Sequence, residues 1–201
     1  MNVVDKHGFL ERIGYMEKVV LELGCGTRKF DQNAIGIDRV DMDSVDIVCD
    51  LEEGLPFIKD ESVDLVCSFH TLEHIGNIEF VMREIYRVLK KGGKTSGTVP
   101  HFSNPYYYSD YTHKTPFGLY TFSYFTKKSP LRRKVPTHYN ELDFTITKLK
   151  IVFYSPFKFR NISRKIFTFI FNSSVFMKEW YEGSLSGFLP AHELFFELEK
   201  N

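Results

Sequence analysis

The chain has 201 residues, with 26 basic and 26 acidic side chains and no net charge, which is enough for one domain around a single core. It contains no run of about 20 apolar residues, so the sequence predicts no membrane span, and residues 1–14 predict no secretory signal. Its three cysteines lack paired metal-ligand spacing, so we expect no metal site and reduced thiols in a cytoplasmic protein.

The charges are unevenly distributed along the chain. Residues 1–80 carry seven basic and seventeen acidic side chains, whereas residues 126–165 carry eleven basic and two acidic ones. This asymmetry indicates either an anionic partner for the second half or a solvated basic face.

The first hundred residues alternate between strand-like and helix-like segments. Short, almost continuously apolar runs predict buried strands at 19–23, 34–38, 46–49, 63–69 and 94–99. A helix is predicted at 78–90, because its apolar residues fall on one face, with Gly92 and Gly93 ending it. The alternation predicts an α/β fold, a doubly wound and mostly parallel sheet with helices on both faces.

An aromatic-rich insertion follows the fifth predicted strand, at about 102–143. Residues 102–125 hold ten aromatic side chains, and residues 127–143 are polar and basic, so we expect an ordered loop followed by a mobile connection. The loop is interpreted either as a lid that stacks on a ring-bearing acceptor or as a small hydrophobic cluster over the sheet edge. A strand at 144–154, a helix at 161–180 and a strand at 192–198 complete one domain over residues 1–201.

Glycines and acids follow the predicted strands where each of them ends. Gly24 and Gly26 allow a sharp turn and a close approach of a ligand to the main chain. Asp38 follows the second strand and is suited to both ribose hydroxyls, while Asp50 follows the third and can accept from an adenine amine. Because ligands of doubly wound sheets lie outside the carboxyl ends of the strands, these positions predict a site for a nucleoside-type cofactor.

The order and spacing of these motifs resemble those of class I S-adenosylmethionine-dependent methyltransferases. The matching segments are 21–26, 36–38, 49–51, 55–57, 62–66, 72–75 and 84–93. Segments 100–104 and 110–114 are similar to a methyltransferase type 11-like subset that is often linked to cell-envelope polysaccharide modification. The resemblance implies S-adenosylmethionine as the cofactor and an antiparallel last strand.

The resemblance also implies which residues contact the cofactor. The methionine portion would be held by Glu22, Gly24, Cys25 and Gly26, the ribose by Asp38 beside Arg39, the adenine by Asp50 and Leu51, and the methionine amine by the main chain of Ser68, Phe69 and His70. One departure from the family pattern is Arg28, which stands where a glycine often follows Gly26. We expect the turn at Gly24 and Gly26 to survive this change.

The expected reaction is O-methylation of a small or glycan-linked acceptor. An oxygen acceptor has to lose a proton, which calls for a base with a pKa near neutrality, and histidine fits best. The candidates are His101, expected to point into the cleft from the end of the fifth strand, and His113, oriented by Asp110. Each can instead be a hydrogen-bonded structural residue, and His74 either lines the cofactor pocket or caps the next helix.

Other interpretations stay open at this point. The chain can be a non-catalytic S-adenosylmethionine-binding protein, or an NAD-dependent reductase that uses the Tyr-x-x-x-Lys pair of Tyr86 and Lys90. Nucleic-acid methylation also stays open because of the basic region 126–165, although no Asn/Asp-Pro-Pro-Tyr-type motif appears. The basic and apolar segment 160–171 can lie on an anionic membrane surface, or pack on the core or on a homodimer partner.

Overall fold

An eight-stranded mixed sheet forms the centre of the molecule. The computed structural model describes residues 3–157, 159 and 161–201. The strands are β1 (Val4–Asp5), β2 (Val20–Leu23), β3 (Ile35–Asp38), β4 (Ile47–Val48), β5 (Val63–Phe69), β6 (Leu89–Pro100), β7 (Phe144–Val152) and β8 (Glu193–Lys200). Their order in space is β1-β4-β3-β2-β5-β6-β8-β7.

The direction of the strands confirms the predicted fold class. Strands β2 to β6 pair in parallel, whereas β8 joins β6, and β7 joins β8, in antiparallel pairs. The chain builds outward from β2 through β3 and β4, and then returns to the other side of β2 with β5. Doubly wound sheets bind their ligands at the carboxyl ends of the strands beside such a reversal.

The strand positions follow the apolar runs of the sequence closely. Strands β2 to β5 lie within the predicted segments, and β6 begins at Leu89 rather than at residue 94. Strand β6 begins earlier than predicted because helix α2 (Ile78–Val88) ends at Val88. The next residue, Leu89, is fully buried and already belongs to the strand. Gly97 allows β5 and β6 to approach, since a Cβ there would lie 1.6 Å from the carbonyl oxygen of Ser68.

The helices do not cover both faces of the sheet as predicted. Besides α2, the described residues form α1 (Phe9–Arg12), α3 (Asn161–Phe171) and α4 (Val175–Trp180). All four pack against one large core cluster. The other face carries only a small cluster, Val20, Ala34 and Cys67 with Leu65 and Phe69. A helix is absent there because turns alone connect β2 to β3, in a short and mostly polar segment.

The predicted helix at 161–180 is divided into α3 and α4. Asn172 breaks it, because its side-chain amide accepts from the backbone N–H of Ile151 at 2.9 Å and donates to the Ile151 carbonyl at 2.7 Å. Ser174 then caps α4 by accepting from the N–H of Met177 at 3.1 Å. Such side-chain bonds to the backbone compete with helical ones, and a π-helical turn, Tyr181–Leu185, follows α4.

The aromatic insertion is ordered by packing into the main core. Phe117 and Phe122 are fully buried, and the ring of Phe122 stacks on Phe196 of β8 at 4.2 Å between centroids. The insertion is therefore continuous with the core rather than a separate cluster over the sheet edge. Residues 127–143 form no helix or strand.

Helix α3 directs a row of apolar side chains outward. Ile162, Ile166 and Phe169 are 73%, 53% and 80% exposed, whereas Phe171 of the same helix is buried in the core. The segment 160–171 was predicted either to pack on the core or to face a membrane or a partner, and packing on the core accounts for only part of it. Its first residue, Arg160, lies outside the described residues. In the described part of the chain, no helix is both long and apolar enough to cross a membrane.

Candidate active site

A cavity of about 330 Å³ opens at the carboxyl ends of β2 to β5. This volume lies within the range of small-molecule sites, about 300–1,000 Å³. Its walls are formed by Gly24, Asp38, Arg39, Val40, Asp50, Leu51, Glu52, His70, Thr71, His74, Ile75, Thr112 and Lys114. Six of the eleven predicted cofactor-contacting residues therefore line one cavity, at the predicted place in the sheet.

Thr71 packs against the glycine turn after β2. Gly24 and Gly26 have φ angles of +67° and +56°, so the turn survives although Arg28 replaces a glycine. A Cβ on Gly24 would lie 2.1 Å from Thr71 Oγ1, which donates to the carbonyl of Leu23 at 3.1 Å. Any side chain at residue 24 would therefore displace the threonine that joins β2 to the end of β5.

The two predicted acids stand on the cavity wall and keep free acceptor capacity. Asp38 accepts from the backbone N–H of Gly26 at 2.9 Å and of Val40 at 3.0 Å. Asp50 accepts from the N–H of Glu52 at 2.9 Å. Because an ionised carboxylate offers about four acceptor positions, both residues can still bind ligand hydroxyls or amines.

Five predicted cofactor contacts lie off the cavity wall. Glu22 is buried, and its carboxylate accepts from the N–H groups of Phe30 at 2.9 Å and Asp31 at 3.2 Å, so it organises the loop after β2. Phe69 packs on Phe30, with 4.4 Å between ring centroids. The remaining three, Cys25, Gly26 and Ser68, are also not among the lining residues. Burial raises the pKa of the Cys25 thiol to about 11.

His70 joins the end of β5 to the start of β8. It has a φ angle of +54°, which is uncommon for a residue other than glycine. Its Nε2 lies 3.2 Å from Glu193 Oε1, and its Nδ1 lies 3.4 Å from Glu73 Oε1. Hydrogen bonds to Glu193 and Glu73 raise the pKa of His70 to about 10, and those from His192 and His70 lower the pKa of Glu193 to about 2.

The insertion supplies one wall of the cavity, although none of its residues was predicted to contact the cofactor. Lys114 Nζ lies 2.8 Å from Glu52 Oε1, and Glu52 also accepts from the N–H of Gly76 at 2.7 Å. Thr112 lies on the same wall. The only sequence signal for these contacts is segment 110–114, which had been noted for the narrower resemblance.

The first candidate base, His101, lies in the interior. Its side chain is fully buried, with Nε2 3.1 Å from Glu182 Oε2 and Nδ1 2.8 Å from Ser103 Oγ. Glu182 also accepts from the N–H of Leu119 at 2.7 Å. The expectation that His101 points into the cleft is therefore not supported by its position, because the turn that follows β6 packs this ring against Tyr181.

The second candidate base, His113, packs beside His74. The two ring centroids are 4.8 Å apart. His113 Nδ1 donates to the Tyr107 carbonyl at 2.9 Å, since a carbonyl can only accept, and Asp110 Oδ2 lies 3.7 Å from Nε2. Asp110 therefore stands near the nitrogen that would take the proton, instead of fixing the ring from the opposite side.

A second cleft, of about 480 Å³, is formed mainly by the insertion. Its charged groups are Arg133 and Glu182, and its other residues include Phe102, Tyr108, Tyr120 and Tyr124. The Arg133 guanidinium lies over the Tyr120 ring, 4.9 Å from its centroid. Flat aromatic faces and two opposite charges suit a polar, ring-shaped ligand.

The Tyr86 and Lys90 pair lies away from the cavity. Tyr86 packs edge-on against Phe144 at 4.9 Å, and Lys90 forms a 2.8 Å ion pair with Asp64. Neither residue lines the cofactor cavity. The pair is therefore structural, and the position of these side chains gives no support to a reductase.

Known proteins similar to this chain include methyltransferases. Residues 21–96 match a family model described as "Methyltransferase domain". No curated protein sequence matches the chain. A methyltransferase structure from Archaeoglobus fulgidus, described as S-adenosylmethionine-dependent, is 15% identical with a TM-score of 0.56, and the match covers 96% of this chain and 90% of that one.

A second similar structure is phosphoethanolamine N-methyltransferase 2 from Haemonchus contortus. In complex with S-adenosyl-L-methionine it is 19% identical to this chain, with a TM-score of 0.54 over 95% of this chain and 51% of that one. This chain thus spans about half the length of that enzyme. Similarity at this level establishes the fold alone. The chain has the fold of S-adenosylmethionine-dependent methyltransferases, and its residues 21–96 are similar to a methyltransferase domain.

Proposed function

We propose that this chain transfers the methyl group of S-adenosylmethionine to an oxygen of a small or glycan-linked acceptor. The observation that carries the proposal is the composition of the cavity walls, where predicted cofactor residues meet His74, Thr112 and Lys114. A single cavity thus contains residues suited to a nucleoside together with polar side chains from the insertion. The buried, free cysteines fit a reducing cytoplasm as the place of reaction.

The residues on the cavity wall fit this cofactor. Asp38 would accept from the ribose hydroxyls and Asp50 from the adenine amine, with Leu51 against the ring. The methionine portion would lie at Gly24 and His70. Residue 24 has to be a glycine, because any side chain there would collide with Thr71. When bound, the cofactor supplies a methyl group on a positively charged sulfur, ready for attack by a nucleophile.

The protein's contribution to the reaction is alignment and removal of one proton. Holding the acceptor oxygen in line with the methyl group supplies about 7–11 kcal/mol in favourable cases. When the methyl group passes to the acceptor oxygen, the acceptor proton would have to be taken up by a group of the protein or by water. His74, which lines the cavity, and His113, which packs on His74 with Asp110 beside it, are the candidate groups for that proton; His101 is too deeply buried.

The second cleft supports the proposed acceptor class. Sugar rings present flat apolar faces that aromatic side chains cover, and their hydroxyls pair with arginine and glutamate side chains. The residues Tyr120, Arg133 and Glu182 of the second cleft offer this combination. This supports a sugar or another ring-bearing acceptor.

The experiment separates cofactor binding from turnover. Calorimetry with S-adenosylmethionine should show binding that Asp38→Asn weakens at least tenfold, with Asp41→Asn as the exposed control. Labelled cofactor is then incubated with fractionated cell extract, and transfer to a glycan-containing fraction is expected. Absence of cofactor binding contradicts the proposal; binding without transfer to any fraction favours a non-catalytic S-adenosylmethionine-binding protein.

We also propose that helix α3 docks on an anionic membrane surface. The outward side chains Ile162, Ile166 and Phe169 lie on one helix face, since they are spaced by four and three residues. Phe176 and Trp180 of α4 are also about half exposed. The excess of basic residues over 126–165 complements anionic lipid headgroups. A homodimer through the same face is the competing outcome.

A further inference from the structure

Three side chains with metal-ligating atoms meet beside the cofactor cavity. One carboxylate oxygen of Glu73 and one ring nitrogen each of His74 and His113 lie within 4.8 Å of one another. Glu73 and His74 belong to the 3-10 turn after β5, whereas His113 comes from the insertion. The two segments are held together because the N–H groups of Lys114 and Thr115 donate to the Glu73 carbonyl at 2.7 and 3.1 Å.

Glu73 is a buried acid with an unused oxygen. Its side chain is 1% exposed, and its Oε2 has no hydrogen-bond partner among the residues that the structure describes. Its other oxygen is 3.4 Å from His70 Nδ1. A buried carboxylate oxygen without a partner costs free energy, so its presence indicates a ligand that completes the site.

The hydrogen bonds of both histidines leave the same nitrogen free. His113 Nδ1 donates to the Tyr107 carbonyl at 2.9 Å. Thr112 Oγ1 must donate to the Asp110 carboxylate, so it accepts from His74 Nδ1 at 3.0 Å. In the neutral rings Nε2 therefore keeps its lone pair. A histidine that binds a metal usually donates its other ring N–H to a carbonyl or similar acceptor.

We propose that Glu73, His74 and His113 bind a divalent transition-metal ion. Two imidazoles and one carboxylate form the ligand set of many catalytic zinc sites and of facial iron sites, which keep open positions for substrate. Ligand atoms about 2.1 Å from a tetrahedral ion are about 3.4 Å apart, so small side-chain rotations would close the cluster. The expectation of no metal site rested on cysteine spacing, which carries no information about this cluster.

The role of the ion rests on the proposed function, whereas its binding does not. His74 lines the cofactor cavity, so an acceptor hydroxyl could take an open position on the ion. A bound metal lowers the pKa of a coordinated hydroxyl. The proton then passes to water, the oxygen attacks the methyl carbon, and the carbon–sulfur bond breaks with its electron pair on sulfur. The ring nitrogens would then serve as ligands rather than as bases.

Metal binding is tested on the full chain without cofactor or acceptor. After treatment with a chelator, the protein is titrated with Zn²⁺ and with Co²⁺, followed by calorimetry and by the visible spectrum of Co²⁺. One equivalent should bind, and His74→Asn and His113→Asn should each lower the affinity at least 100-fold. Glu73→Gln, which keeps the side-chain shape, should lower it at least tenfold. His138→Asn, which lies outside the cluster, should bind as the unaltered chain does.

The outcomes distinguish this inference from the proposed function. Failure of the unaltered chain to bind either ion, or unchanged affinity in both histidine variants, overturns the metal site. The same is true if His138→Asn loses binding to the same extent. Binding of Zn²⁺ by a chain that does not bind S-adenosylmethionine leaves the site standing and contradicts the proposed function. Methyl transfer that falls on chelation and returns with the ion supports both.

Discussion

At the scale of single residues, the carboxylate of Glu193 shows how the end of β5 is fixed to the sheet. Glu193 accepts from His192 Nδ1 at 3.1 Å and lies 3.2 Å from His70 Nε2. These contacts lower its pKa to about 2. A lowered pKa in the folded state adds stability above the unfolded-state value, about 4.3, and this stability is lost as the pH falls toward 2.

We therefore predict that Glu193→Gln lowers the free energy of unfolding by about 2 kcal/mol at pH 7. The difference from the unaltered chain should shrink as the pH is lowered from about 4.5 toward 2, because protonation removes the same charge. Urea unfolding at several pH values measures it. Glu199→Gln on the same strand is the control, and a difference that stays constant with pH would refute the assignment.

Single residues also show which parts of the site can be predicted. The positions of Asp38 and Asp50 on the cavity wall could be predicted because each acid follows a strand end, which is a local feature of the sequence. Glu22 stands in the same motif, yet its direction depends on the N–H groups of Phe30 and Asp31, which only the folded loop brings near. Thr71 was missed for the same reason: its role depends on contact with Gly24.

At the scale of elements, strands were predicted more accurately than helices. A strand buried on both sides needs only a short apolar run, and the runs of β2 to β5 are distinct. The divided helix at 161–180 depends on Asn172, whose partner Ile151 lies on another element. One face of the sheet likewise has no helix beside β2 and β3, because the connection between these strands is short and mostly polar.

The outward face of α3 gives a prediction at this scale. Phe169→Asp should weaken binding to vesicles that contain phosphatidylserine at least tenfold, because it places a charge on the apolar face. Thr168→Asp is the control, since it adds the same charge to a side chain that bonds within the helix and to the N–H of Phe153, directly after β7. Flotation with the vesicles measures binding. Equal flotation of both variants, or loss of a dimer in light scattering without any vesicle binding, would contradict membrane docking.

At the scale of the whole molecule, the insertion joins the main core to the cavity at the strand ends. It enters the main core through Phe117 and Phe122, and it reaches the cavity through Thr112 and Lys114. Its aromatic content was visible in the sequence, which predicted an ordered loop. The contact between Lys114 of the insertion and Glu52 could not be predicted, because tertiary packing across the strand ends brings these two segments together.

The Lys114–Glu52 ion pair tests whether this wall contributes to cofactor binding. Both side chains are largely exposed, so the pair adds less than about 1 kcal/mol to stability. We therefore predict that Lys114→Met leaves the unfolding midpoint nearly unchanged while raising the Kd for S-adenosylmethionine about three- to tenfold, since Glu52 is freed from the wall. Calorimetry and thermal unfolding measure the two effects. Lys148→Met is the matched control, because it breaks a 2.9 Å pair with Glu197 on the sheet. If both variants bind the cofactor equally well, the insertion is not part of the cofactor wall in solution.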